Sequence, residues 1–143
     1  MYRIFITDQS ESQINEAIKG RYAAAALNNM SLKRAGEWFT KRGDIYTVKP
    51  ELKENMDFST FDLLNEELSC PPASIFCDFD LVVCANLLFY YKDEYRKRIL
   101  GKIGNSMANG GYLMTGETEL DIVLRCNFQE LFPQSAIFKR NIP

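Results

Sequence analysis

Residues 79–119 read FDLVVCANLLFYYKDEYRKRILGKIGNSMANGGYLMTGETE, and the way this stretch divides decides the fold. Phe79 to Ala85 is an apolar, partly β-branched run bounded by polar residues, the pattern of a strand buried on both faces. Tyr91, Tyr95, Ile99, Ile103 and Met107 then recur at every fourth position, with Lys92, Asp93, Arg96 and Lys97 on the other side, so a helix follows. Asn109, Gly110 and Gly111 are expected to stop that helix, because glycine supplies the left-handed backbone a helix end wants. A second apolar run, Tyr112 to Thr115, ends in Gly116 and Glu117. Strand, helix and strand over about 40 residues predict a right-handed βαβ crossover in a parallel sheet. Ligands of such sheets sit at the carboxyl ends of the strands. Asn86, Tyr90, Glu117 and Glu119 therefore fall near one rim.

Upstream, Tyr2 to Thr7 is apolar, aromatic and β-branched, and predicts a strand that ends at Asp8. Ser10 and Gln13 have the spacing of a capping box, and Ile14, Ala17 and Ile18 form a helical stripe that Gly20 closes. Asp8 thus stands between a strand and a helix. A carboxylate there can accept both hydroxyls of a ribose, and it can equally be an ordinary turn aspartate. Ala23 to Arg34 predicts one or two short helices. Glu37–Thr40 and Asp44–Val48 read as a hairpin about Arg42-Gly43, ended by Pro50, with Trp38 packing in it. Asn55 to Phe61 reads as a further strand, followed by Asp62, which suits either a helix N-cap or a hydrogen bond to a ligand. Cys70, Pro71 and Pro72 mark a loop. Downstream, a helix is expected over 120–124, then an antiparallel pair, 128–132 and 135–140, joined at Pro133-Gln134.

A chain of 143 residues, 46 % hydrophobic and 25 % charged, has the composition of one soluble domain with a core. A net charge of -2 gives no reason to expect nucleic acid or an anionic membrane as partner. No apolar run approaches the ~20 residues of a membrane span, and MYRIFITD runs straight into a strand pattern instead of a secretory leader. A cytoplasmic location is expected, with Cys70, Cys77, Cys84 and Cys126 as free thiols, Cys84 lying inside an apolar strand. There is no histidine. That removes histidine-based triads and the usual zinc sites, so no metal is expected, and carboxylates and tyrosines are left for acid–base work. A transfer reaction with little proton chemistry suits such a chain better than a hydrolysis. The basic cluster Arg96, Lys97, Arg98 and Lys102 reads as the solvated face of its helix in preference to a phosphate site.

The order FDLVVCANLLFYY, RKRIL, NGGYLMTGETE resembles the catalytic domain of the chemotaxis-receptor glutamate methyltransferases, the CheR family. That family carries FD, an apolar strand, Cys-Arg-Asn, a short apolar run ending in Tyr-Phe, a helix, Gly-Gly, a strand and Gly-x-x-Glu. Thr7-Asp8, a helix, and Ala17, Gly20 and Tyr22 match its earlier Thr-Asp, helix and Ala-x-x-Gly-x-Tyr. Two departures stand out: Ala85 replaces the arginine of the triplet, and Asp62-Leu63 replaces Asn-Leu. The resemblance implies an α/β fold, a Rossmann-like class I methyltransferase sheet, with S-adenosylmethionine as cofactor. It further implies that Asp8 holds the ribose, Asp62 the adenine and Asn86 the amino-acid part of the cofactor, while Tyr90 lines the catalytic site.

No glycine-rich turn of the kind that lets backbone approach the methionine part precedes Tyr2. The resemblance therefore makes residues 1–143 a partial methyltransferase domain, lacking the first strand and the glycine motif, and the isolated chain is expected to be inactive. The missing strand would belong between 2–7 and 79–85, both apolar and free of proline, so self-association as a homodimer is expected. A protein substrate is the implied partner. Ala85 removes a bidentate carboxylate partner, so the expected acceptor is not the usual receptor glutamate helix. The alternative function is a non-catalytic methyltransferase-fold module for binding or scaffolding in signalling. A nucleotide-binding oxidoreductase is a third reading, and it lacks any Gly-x-Gly-x-x-Gly.

Overall fold

Nine strands and five α-helices lie along residues 1–140, the part of the chain that the computed structural model describes. Residues 141–143, the end of the expected domain, lie outside the described residues. The fold is mixed α/β, and it divides into two compact units, residues 1–62 with 71–73, and residues 63–70 with 74 onward. Among the described residues no helix is long and apolar enough to cross a membrane.

In the first unit β1 (Ile4–Asp8) leads into α1 (Glu11–Lys19), which packs back on it. The predicted capping box does not form. Ser10 gives its amide to Asp8 Oδ1 at 2.8 Å, and its hydroxyl lies 3.1 Å from that of Ser12. Gly20 ends the helix as expected, at φ 61°, where a side chain would also meet Val48 Cβ at 3.1 Å. Next come β2 (Arg21–Ala23), α2 (Leu32–Trp38), β3 (Phe39–Arg42), β4 (Ile45–Val48), α3 (Pro50–Lys53) and β5 (Met56–Thr60). β5 pairs in parallel with β1, Ile4 opposite Met56 and Asp8 opposite Thr60. The hairpin β3–β4 turns about Gly43, but Glu37 and Trp38 belong to α2. β2, too short to show a period, adds to β4 and makes a three-stranded antiparallel sheet in the order β2-β4-β3.

The second unit contains β6 (Phe79–Cys84), α4 (Asp93–Ser106), β7 (Met107–Thr115), α5 (Leu120–Leu124), β8 (Phe128–Glu130) and β9 (Ile137–Arg140). Its sheet runs β6-β7-β9-β8. β6 and β7 are parallel across α4, and β9 is antiparallel to both β7 and β8, as expected of the closing pair. Leu88, Ile99, Leu100, Ile103, Leu113, Val123 and Phe138 are its buried centre. Removing such side chains from water is the main force holding the unit together.

Three expectations fail here for identifiable reasons. β6 is covered on one face only: Cys84 is buried and Val82 packs on the core, while Leu81 and Val83 are 55 % and 62 % exposed. The every-fourth stripe of α4 drifts, because four residues turn 40° beyond a full helical turn. Ile99 and Ile103 are buried with Leu100 and Gly104, whereas Tyr91 precedes the helix, Tyr95 is exposed and Met107 already belongs to β7. The helix also stops before its supposed glycine signal. Asn109, Gly110 and Gly111 lie inside β7, opposite a register shift between Phe79 and Leu81, with Gly110 at φ 83°. A Cβ on Gly111 would sit 2.7 Å from the Phe79 carbonyl oxygen. These glycines therefore shape a strand irregularity and do not cap a helix.

The cysteine expectation holds for half of the set. Cys84 and Cys126 are free, but Cys70 and Cys77 are joined as a disulfide with Cα atoms 5.7 Å apart. Pro71 and Pro72 bend the intervening loop, which brings the two sulfurs together at a spacing that carries no Cys-x-x-Cys signal.

Candidate functional site

The carboxyl ends of the two parallel pairs carry the predicted residues, and each pair presents its own rim. In the first unit Asp8 closes β1, and its main-chain oxygen accepts the Phe61 amide at 2.9 Å just beyond β5. Asp62 follows, exposed, with no helix after it, so it is not an N-cap. Asp8 is also exposed, and one of its oxygens is engaged by the Ser10 amide. Two carboxylates thus end neighbouring parallel strands.

A cavity of about 370 Å³ also lies in this unit, lined by Ile6, Leu27, Met30, Phe39, Met56 and Phe58 among others. Neither Asp8 nor Asp62 lines it, and its walls are mostly apolar, with Lys53 the one charged residue among them. It is a gap in packing beneath the strand pair, and the polar groups a ligand would need lie at the rim instead.

In the second unit Ala85 and Asn86 leave the end of β6, both exposed. Asn86 is in the left-handed region at φ 59°. Asparagine tolerates that conformation better than most residues with a side chain, so its backbone duty is a reason for asparagine here besides any ligand. Leu88–Tyr90 then form a single tight turn. Leu88 anchors it in the core at 0 % exposure, while Phe89 and Tyr90 stand out at 42 % and 77 % with ring centroids 4.4 Å apart.

Glu119 organises this rim. The carboxylate is completely buried and accepts four main-chain amides: Asn86 at 2.8 Å, Leu87 at 2.7 Å, Leu88 at 2.6 Å and Gly116 at 3.0 Å. The Glu119 amide returns a bond to the Gly116 carbonyl at 3.0 Å. Gly116 leaves room for the Asn86 side chain, since a Cβ there would come within 2.8 Å of Asn86 Oδ1. Glu117, by contrast, is exposed. The buried Cys84 thiol next to this array is pushed up to about 12, by burial first and by the charge of Glu119 second.

The basic residues of α4 are not a uniformly wet face. Arg96 donates from Nε to the Leu88 carbonyl at 2.9 Å and from Nη2 to that of Phe89 at 3.3 Å, and pairs with Asp93 at 2.7 Å. Arg98 pairs with Glu66 at 2.6 Å, and Lys102 donates to the carbonyls of Asn65 and Leu68. These cations fasten loop carbonyls to the helix. Sequence spacing gave no sign of this, because the partners lie up to 37 residues away. The Gly-x-x-Glu spacing did carry a signal for Glu119, since residues three apart can close a reciprocal turn.

Known proteins are similar to this sequence. The family model for the CheR methyltransferase, SAM binding domain, matches residues 1–135. A chemotaxis protein methyltransferase 1 of Pseudomonas aeruginosa is 31 % identical over 119 residues, 82 % of this chain and 41 % of that protein. A chemotaxis protein methyltransferase of Listeria monocytogenes is 28 % identical over 118 residues, 82 % of this chain and 42 % of its own length. An uncharacterized 104.1 kDa protein of Rhodobacter capsulatus is 30 % identical over 137 residues, 96 % of this chain and 14 % of that protein. The chain therefore spans less than half the length of each of these relatives. With the match running through both rims, the chain belongs to the CheR methyltransferase family and corresponds to its S-adenosylmethionine-binding domain.

Proposed function

We infer that this chain is the cofactor-binding part of a protein carboxyl methyltransferase of the chemotaxis-receptor type, built on a Rossmann-like class I sheet. The observation that carries the reading is the family match across residues 1–135, which includes every residue assigned to the site. Asp8 would take the ribose hydroxyls and Asp62 the adenine amino group. Asn86 would hold the amino-acid part, with Tyr90 lining the transfer site. The donor set suits the cofactor: exposed carboxylates face a diol and an amine, and exposed aromatic rings at Phe89 and Tyr90 suit a sulfonium cation. When bound, the cofactor supplies an electrophilic methyl group. The residues of this chain would orient it, with the Phe89–Tyr90 turn beside the transfer site. A carboxylate acceptor is already ionised at neutral pH, so no histidine base is required.

Ala85 supports a departure in acceptor choice. It is exposed at the rim where the resembling family carries an arginine, so a bidentate partner for an acceptor carboxylate is missing. A second reading, a non-catalytic binding or scaffold module, draws on the same substitution. Self-association fits either reading: β6 has β7 as its ladder partner and exposes Leu81 and Val83, which favours a second copy edge to edge.

Methyl transfer to carboxylate-bearing protein acceptors, read as base-labile methyl ester, tests the function. In a full-length protein that carries this domain, receptor-type glutamate peptides are expected to be poor acceptors for the parent sequence and better ones for Ala85→Arg. Strong methylation of those peptides by the parent contradicts the acceptor argument. Cofactor binding with no transfer to any carboxylate favours the scaffold reading.

A further inference from the structure

Glu119 is fully buried, yet no ion pair among the described residues includes it. A buried carboxylate is costly unless donors surround it, and here the donors are four main-chain amides. Three of them are consecutive, Asn86, Leu87 and Leu88. Successive amides converge on one anion only if the chain curls around it, and Asn86 at φ 59° is that curl. An apolar side chain in place of Glu119 would strand four donors, so the carboxylate and the turn require each other. The opposite side of the same turn is held by Arg96, which takes the carbonyls of Leu88 and Phe89. Side chains from two separate elements therefore fix both the donors and the acceptors of residues 86–89.

We propose that Glu119 is a positioning residue of the methyl-transfer site: it touches no ligand itself and sets the conformation in which Asn86 and Tyr90 are presented. The assignment rests on the cofactor reading of Asn86. Gly116 is part of the same device, because its lack of a Cβ lets Asn86 Oδ1 and Glu119 Oε2 approach the strand end.

Two variants of the full chain test this by different routes. Glu119→Gln keeps the shape but replaces one acceptor oxygen by an amide group that cannot accept. Gly116→Ala keeps the carboxylate, and its φ of -74° suits alanine, but the new Cβ would lie 2.8 Å from Asn86 Oδ1 and 3.2 Å from Glu119 Oε2. It serves as the test should the glutamine variant fail to fold. In nitrogen-15 spectra the amide signals of Asn86, Leu87 and Leu88 should move in both variants and exchange roughly tenfold faster or more, while those of β8 and β9 stay. Binding of S-adenosylhomocysteine should weaken roughly tenfold in step. Unmoved amides in both variants overturn the proposal. Moved amides with parental affinity also overturn it, and Asn86→Gly then separates the causes. If Asn86→Gly, which keeps the left-handed backbone, binds more weakly than the parent, the site reading survives without Glu119. If it binds as the parent does, or the parent binds nothing, the site reading falls and takes the proposal with it.

Discussion

The two rims are held in different ways. At the first, Asp8 is engaged by a single amide two residues along, on an exposed surface. At the second, Asn86 sits in a turn whose amides end on a buried carboxylate and whose carbonyls end on an arginine. The contrast extends to the units behind them. A continuous buried cluster supports β6 and β7, whereas all five residues of β1 are partly or fully exposed. Local chain geometry shapes the first rim, and tertiary structure shapes the second.

Core truncation should sharpen this contrast most. Phe138→Ala, at a side chain with 0 % exposure, is expected to cost ~3–5 kcal/mol in urea unfolding. Met56→Ala, on the partly exposed β5, should cost clearly less. Equal losses would mean that the two units are supported alike. Next in size is Glu119→Gln, which removes half of a buried acceptor and should cost about 2–3 kcal/mol. Asp8→Asn should leave stability unchanged within error by the same measurement, because its partner is local and wet. Equal effects of these two would break the comparison.

An effect confined to alkaline pH concerns Cys84, whose thiol is pushed from 9.0 up to about 12. The neutral form is the one that folding favours. Its contribution is complete below pH 9.0, and it drains away as the pH rises toward about 12, where the unfolded chain is a thiolate and the folded one is not yet. Alkaline unfolding should therefore be steeper in the parent than in Cys84→Ala. Alkylation of the native chain at pH 8 should mark Cys126, less buried than Cys84, first. Rapid labelling of Cys84 would show that its strand opens readily.

Much of the backbone was legible because its signals are local. The apolar run at Phe79, Gly20 as a helix stop and Pro133-Gln134 between the last two strands each depend on a few adjacent residues. The failures share one physical origin, dependence on distant contacts. A run of Leu81, Val82 and Val83 looks the same whether one face or both are covered, and only the tertiary neighbours decide. Gly110 and Gly111 carry the composition of a helix end, yet Gly111 is needed for a carbonyl more than 30 residues away, that of Phe79. Asp8, Asp62, Asn86 and Tyr90 are candidates only through the family resemblance, while the burial of Glu119 and the grip of Arg96 were not legible at all.

The central claim is that this chain holds an adenosine cofactor, and Asn86 is where it is most exposed to refutation, because its left-handed backbone is already a sufficient reason for asparagine. Calorimetric titration of S-adenosylhomocysteine into the parent and into Asn86→Gly separates the two roles. Binding weaker than micromolar is predicted for the parent, because Asp8, Asp62 and Asn86 offer only a few hydrogen bonds, with a further loss of roughly tenfold in the variant as one of them disappears. A parent that binds nothing, or a glycine variant that binds as tightly as the parent, would contradict the account.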